Sequence, residues 1–243
     1  MTAKRFFQWG SIASAAILVA FGIAALVLGI RGGSTVNSNL KQEYIFGTPD
    51  MTPTAIAPEV QQIQKAQSQL AAAQAKAGVP AAQRFTFTKV TAPSGSVAGK
   101  LVDGGSRARV FAQYMRIHAL GASSGLTYSQ MGRYVAKPGT PIKFTDFLGA
   151  TSDPKYALVD AKTKQPVSNG RRDLWVTETA LTSALNLAYT ASQISLFGIV
   201  VGVALLLAGI GFAVLALGGA LRDVRVPKLQ RSPQATLAGG PSA

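Results

Sequence analysis

The chain has 243 residues, with 24 basic side chains against 10 acidic ones and a net charge of +14. Only 14% of its residues are charged, where soluble domains carry about 25%, and its mean hydropathy is +0.24. These values exclude a disordered polyampholyte and argue against a simple cytosolic enzyme. The basic excess favours anionic partners: nucleic acid, lipid headgroups or acidic cell-wall polymers. Without cysteine there is no disulfide, thiolate metal site or cysteine nucleophile.

The charge deficit is localised. No charged residue stands between Arg5 and Arg31, and about 20 apolar residues suffice to cross a hydrocarbon core as helix. Residues 10–30 are therefore predicted as a first membrane span, with Phe6, Phe7 and Trp9 at its interfacial edge. A cleaved signal peptide is the competing reading, since Lys4 and Arg5 resemble a short basic leader. The apolar run exceeds the usual signal core, however, and no A-x-A site follows it at its exit, Leu28-Gly-Ile-Arg-Gly-Gly-Ser34. An uncleaved signal anchor is expected.

Residues 31–80 read as a linker with an Ala- and Gln-rich helix from Pro58 to Gly78, thin in apolar residues and expected to lie on a surface or to pack weakly. Residues 81–192 read as a small α+β domain. Arg84-Phe-Thr-Phe-Thr88 alternates as a half-buried strand does, and Lys100–Val102 and Lys155–Asp160 are further strand candidates. Ser106 is placed as N-cap of a helix carrying Val110, Phe111, Tyr114 and Ile117. Thr127-Tyr-Ser-Gln130 has the capping-box pattern and predicts a short helix through about Tyr134. Gly32-Gly33 and Gly104-Gly105 read as turn signals.

A long helix is expected from Arg171 or Arg172. From Thr179 to Leu221 no charge occurs, and residues 193–221 form the second predicted span. Arg222, Arg225, Lys228 and Arg231 follow, in a basic tail (222–243) expected to be disordered. Both short flanks are basic, so both termini are assigned to the cytoplasm. The intervening segment carries 18 basic residues, but segments beyond about 60 residues translocate largely regardless of charge. No ionisable residue lies inside either span, which argues against a proton relay or ion pathway. Small residues recur at four-residue spacing: Gly198 with Gly202, Gly209 with Ala213, and Ala16, Ala20 and Ala24. Such faces let helices approach closely, either each other or a larger complex.

The chemical inventory is short. His118 is the sole histidine, too few for an HExxH zinc site or a two-histidine iron site. No G-x-S-x-G, P-loop or G-x-G-x-x-G is present. Neither a catalytic residue, a metal ligand nor a cofactor is assigned. Arg107, Arg109, Arg116, Arg171 and Arg172 are the candidate anion-binding residues, against the alternative of a solvated basic face.

Four segments carry a resemblance: Arg109-Val-Phe-Ala-Gln-Tyr-Met-Arg-Ile-His118, Gly125-Leu-Thr-Tyr-Ser-Gln-Met131, Arg171-Arg-Asp-Leu-Trp175 and Ala184–Gly198. The chain resembles the actinobacterial two-span membrane proteins often labelled "aromatic ring-opening dioxygenase", over about the last 135 residues and the first span. The resemblance implies a span, an outer domain, and a helix running into a second span. The dioxygenase label would require a non-haem iron site, for which this chain lacks the histidines, so no catalytic residue is carried over. The stretch from Gly47 to Gly78 departs from the family pattern and reads as an insertion.

The expected fold is thus a membrane protein of the cell (plasma) membrane: two transmembrane α-helices and a small α+β extracytoplasmic domain. The expected function is that of a non-enzymatic accessory or structural component of a cell-envelope complex. Its partners would be the bilayer and either other membrane subunits or an anionic envelope polymer, and not nucleic acid. The alternatives are an envelope polyanion-binding protein and, least favoured, an extracytoplasmic hydrolase using His118.

Overall fold

Four helices organise the chain in a computed structural model that describes residues 3–218: α1 (Ala3–Gln42), α2 (Pro53–Lys76), α3 (Gly105–Ala122) and α4 (Gly170–Leu217). The basic residues Arg222, Arg225, Lys228 and Arg231 lie outside the described residues. Two compact units are present. One joins α1 through Leu26 to α4 from Val200; the other is Val27–Ile199.

In the first unit, α1 and α4 are each long and apolar enough to cross a membrane. Their large apolar side chains point outward: Ile17, Phe21 and Ile23 on α1, and Val203, Leu207 and Ile210 on α4, are all exposed. The helices meet antiparallel through small residues instead. Ala15 and Gly22 on α1 are buried, as are Gly202, Gly209 and Ala216 on α4. A Cβ on Gly22 would stand 2.9 Å from the Gly202 carbonyl oxygen, and one on Gly209 would stand 2.8 Å from Val19 Cγ2. The buried small residues recur every seventh position, the spacing of a left-handed coiled-coil seam. This corrects the four-residue reading. Gly202 and Gly209 are in the seam, Ala213 is half-buried, and Ala16, Ala20 and Ala24 face outward. With each turn advancing 3.6 residues, two close-packed antiparallel helices keep in register over seven residues better than over four.

The second unit is mainly helical, with one two-stranded antiparallel sheet: β1 (Tyr134–Val135) pairs with β2 (Ala150–Thr151), Tyr134 opposite Thr151. Gly29 and Gly32 continue the close approach of α1 to α4 here, against Ser195; Gly198 is half-buried on α4. Gly32 and Gly33 lie inside α1, not at a turn, and the helix continues to Gln42 where a linker was expected. Val36 and Leu40 give the reason: they pack into the domain core, and that burial outweighs the weak helix propensity of the two glycines.

α2 also differs from expectation. It begins at Pro53, with Thr52 Oγ1 accepting from the Ala55 amide at 3.1 Å, and Pro58 lies inside it. Rather than lying on the surface, it buries Ile56, Val60, Ile63 and Leu70 against α3. The stretch read as an insertion therefore supplies one wall of the core. α3 contributes Ala108, Phe111, Ala112, Tyr114 and Ile117 to the other wall. Its N-cap is Gly104 and not Ser106. Gly105 follows because a Cβ there would strike Ser192 and approach the Tyr189 backbone of α4 to 3.0 Å.

The strand candidates resolve differently. Residues 84–92 are extended, with Phe85 and Phe87 half-buried and Thr86 and Thr88 exposed, but pair with no strand. Lys100–Val102 contributes only a single bridge, Phe46 to Leu101. Pro154–Tyr156 is a 3-10 turn, followed by bridges at Ala157 and Val159. The Thr127–Gln130 capping box is present, on a 3-10 turn of three residues that ends before β1.

Candidate functional site

Three pieces of the second unit surround a cavity of about 460 Å³. Gln67 of α2 and Gln113, Arg116, Ile117 and Leu120 of α3 form one side. The extended segment Thr86–Ser94 forms another, and Gly125, Thr127 and Gln130 close the end. The parts are tied together by main-chain acceptors. Gln67 Nε2 donates to the Gly125 carbonyl at 3.1 Å, Gln64 Nε2 to the Val90 carbonyl at 2.7 Å, and Gln130 Nε2 to the Thr86 carbonyl at 3.0 Å. Tyr114 anchors the end of the extended segment by donating to the Gly95 carbonyl at 2.8 Å, and burial pushes its hydroxyl pKa up. The walls carry two cations, Lys89 and Arg116, and no carboxylate or imidazole. A shallower depression of about 270 Å³ near Lys143 also holds Asp146 and Asp153, so its charge is mixed.

The five candidate arginines do not form one cluster. Arg107 is drawn to Asp103 Oδ1 at 2.6 Å and to the Leu101 carbonyl at 3.1 Å, closing the turn that starts α3. Arg109 lies over the Tyr189 ring at 4.7 Å, and Arg172 over Tyr128 at 3.9 Å. Arg171 Nη2 donates to the Leu148 carbonyl at 2.7 Å. Each of these contacts holds one element to another. Arg116 alone lines the cavity. Its guanidinium sits 5.4 Å above the Trp175 ring, whose Nε1 donates to Ser123 Oγ at 3.1 Å. Behind it Glu178 is buried, with Oε1 lacking a hydrogen-bond partner. Burial pushes the Glu178 carboxyl pKa up, and the Arg116 charge only partly offsets this.

Sequence reading singled out Arg116 but missed Lys89, Gln113 and the hydroxyls of Thr86, Thr88 and Thr91. Strand alternation placed Thr86 and Thr88 on the side opposite Phe85 and Phe87. That signal did not tell that the outward side of this segment borders a cavity.

His118 bridges three elements. Its Nδ1 lies 3.0 Å from Glu59 Oε2 on α2 and its Nε2 3.4 Å from Asp50 Oδ2. Gly121, one turn further along α3, leaves the space that the Glu59 carboxylate occupies. Both ring nitrogens therefore face carboxylates and not a hydroxyl nucleophile. Among the described residues no group of three or more His, Asp or Glu side chains is arranged to hold a metal ion. Compared with known proteins, the chain matches no family model, no curated protein and no solved structure.

Proposed function

We propose that the protein is a two-span component of the cell membrane, with both termini cytoplasmic and the Val27–Ile199 unit carrying an extracytoplasmic domain. It acts as a non-enzymatic accessory or structural part of a cell-envelope complex, as its resemblance to the actinobacterial two-span proteins suggests. One observation carries the reading. The two apolar helices meet through glycine and alanine and turn their large apolar side chains outward. In water that arrangement would expose a broad hydrophobic surface with nothing gained. In lipid it is the expected one, because packing of small residues, and not burial of large ones, holds membrane helices together. The basic flanks Lys4, Arg5, Arg222 and Arg225 support the orientation. The hydrolase alternative is disfavoured by the two carboxylates that engage His118.

The absence of native cysteine makes the test direct. In intact cells, a membrane-impermeant maleimide should label Ala161→Cys, in the exposed turn of the domain, but neither Thr2→Cys nor Ser242→Cys. Labelling of the termini but not residue 161 would invert the topology. A purified chain lacking its first 30 or so residues by intact mass would replace the first span with a cleaved signal.

A further inference from the structure

We propose that the cavity between α2, α3 and the Thr86–Ser94 segment binds the oxyanion of a small hydroxyl-rich ligand, with the chemistry of a sugar phosphate or a uronic acid, and that Arg116 and Lys89 hold the charge. The proposal goes beyond the anchored-component reading and stands whichever side of a membrane the domain faces.

The first argument is charge. Both ionisable residues lining the cavity are cations, and no acid lines it to neutralise them. Arg116 makes no hydrogen bond to another described residue, so its N–H groups remain available to a ligand. The side chain is exposed, and the Trp175 ring 5.4 Å from its guanidinium gives it one neighbour to lean on beside the cavity. A planar guanidinium with free donors matches phosphate or carboxylate geometry.

The second argument is the remaining donor and acceptor supply. The hydroxyls of Thr88, Thr91 and Ser94 and the Gln113 amide line the cavity and have no hydrogen-bond partner among the described residues. The extended segment adds main-chain groups, since no amide from Thr86 to Ala92 is paired with another described residue. An extended stretch lacking a partner strand normally satisfies its amides with water or a ligand. Phe87, Val90 and Ile117 supply apolar surface beside these groups, suited to the C–H face of a sugar ring. A concave site of this volume, part apolar and set with a few convergent polar groups, is the usual form of a small-molecule site.

The test uses the full chain in detergent, titrated by calorimetry with glucose 6-phosphate, glucuronate, inorganic phosphate and glucose. Glucose 6-phosphate or glucuronate should bind, and whichever binds more tightly identifies the oxyanion. Glucose should bind at least about tenfold more weakly, because it lacks the charged partner. Affinity should fall as salt rises. Arg116→Ala should weaken binding by about ten- to a hundredfold, with Arg116→Lys between it and the parent. Lys89→Ala, an exposed substitution that leaves the core untouched, should weaken binding several-fold, which keeps the test sound if Arg116→Ala unfolds. Arg107→Ala, whose guanidinium is engaged with Asp103 outside the cavity, should bind as the parent does. Binding of inorganic phosphate as tight as that of the sugar phosphate would remove the hydroxyl-rich part of the proposal. Equal affinity for glucose, no binding of either charged sugar, or unchanged binding in both Arg116→Ala and Lys89→Ala would overturn it. Maleimide accessibility decides the topology separately, so failure of one reading leaves the other standing.

Discussion

The helix pair of the first unit is held together where side chains are missing, whereas the core around α2 and α3 in the second unit is held together where they are largest. At Gly22 and Gly202 the backbones of α1 and α4 come so close that a single methyl group has no room. Around Tyr114, Met51, Ile56 and Ile63, by contrast, bulky side chains are fully buried. The proposed membrane location of the helix pair accounts for the difference. In water, burying a large apolar side chain contributes about 1.5–3 kcal/mol, so the domain gains by enclosing them. For the helix pair, which we propose lies in lipid, no such gain exists, and only close dispersion contact remains.

The two tryptophans lie on either side of this comparison. Trp9 is exposed on α1, while Trp175 is buried in the domain. Chains carrying Trp9→Phe or Trp175→Phe therefore report each region separately by fluorescence. The largest effect is expected from Tyr114→Ala, which empties a fully buried site and leaves the Gly95 carbonyl without its donor. It should cost the domain about 3–5 kcal/mol, read as an earlier Trp175 transition in denaturant, with the helix pair unchanged. Gly202→Leu should come next, at about 1–3 kcal/mol or more, since added bulk must push the helices apart. Spin labels on the outward positions Ile23 and Val203 should report a wider separation, while Trp175 is unaffected. If Gly202→Leu left that distance unchanged, the seam would not be what joins the helices.

A smaller effect is expected at Glu178. Its carboxyl pKa is raised in the folded domain, chiefly by burial. A raised folded value means the group contributes stability at pH below the unfolded carboxylate pKa, and this contribution is lost as pH rises through the folded value. Glu178→Gln should therefore be at least as stable as the parent near neutral pH. Its stability should also vary less between about pH 4 and pH 7, measured by the same Trp175 transition. A clear loss of stability at neutral pH would mean that the attraction to Arg116 outweighs burial. The smallest effect belongs to Ala20→Leu, on the outward face of α1. It should change stability by no more than about 0.5 kcal/mol, in contrast to the seam glycines Gly22, Gly202 and Gly209.

The amino-acid sequence by itself determined the two long apolar helices, because a run without charge is a local property that needs no partner to be recognised. It likewise marked the Thr127–Gln130 capping box, the stop of α2 near Gly78, the inward alternation of Phe85 and Phe87, and Tyr114 as a core residue of α3. The tertiary structure decided which positions do the packing and which border the cavity. Ala16, Ala20, Ala24 and the seam glycines are all small residues on membrane-length helices, and only the antiparallel register of α1 and α4 separates seam from surface. Alternation at residues 84–88 reported which side is buried, but a ladder requires a second strand, and none is supplied there. α2 looked too poor in apolar residues for a core helix, yet Ile56, Val60, Ile63 and Leu70 fall on one stripe that α3 covers. Five arginines were equivalent as charges along the chain. They became different once Trp175, Tyr128, Tyr189 and Asp103 were brought beside them, because what a guanidinium can bind depends on which of its donors and faces its neighbours have already taken.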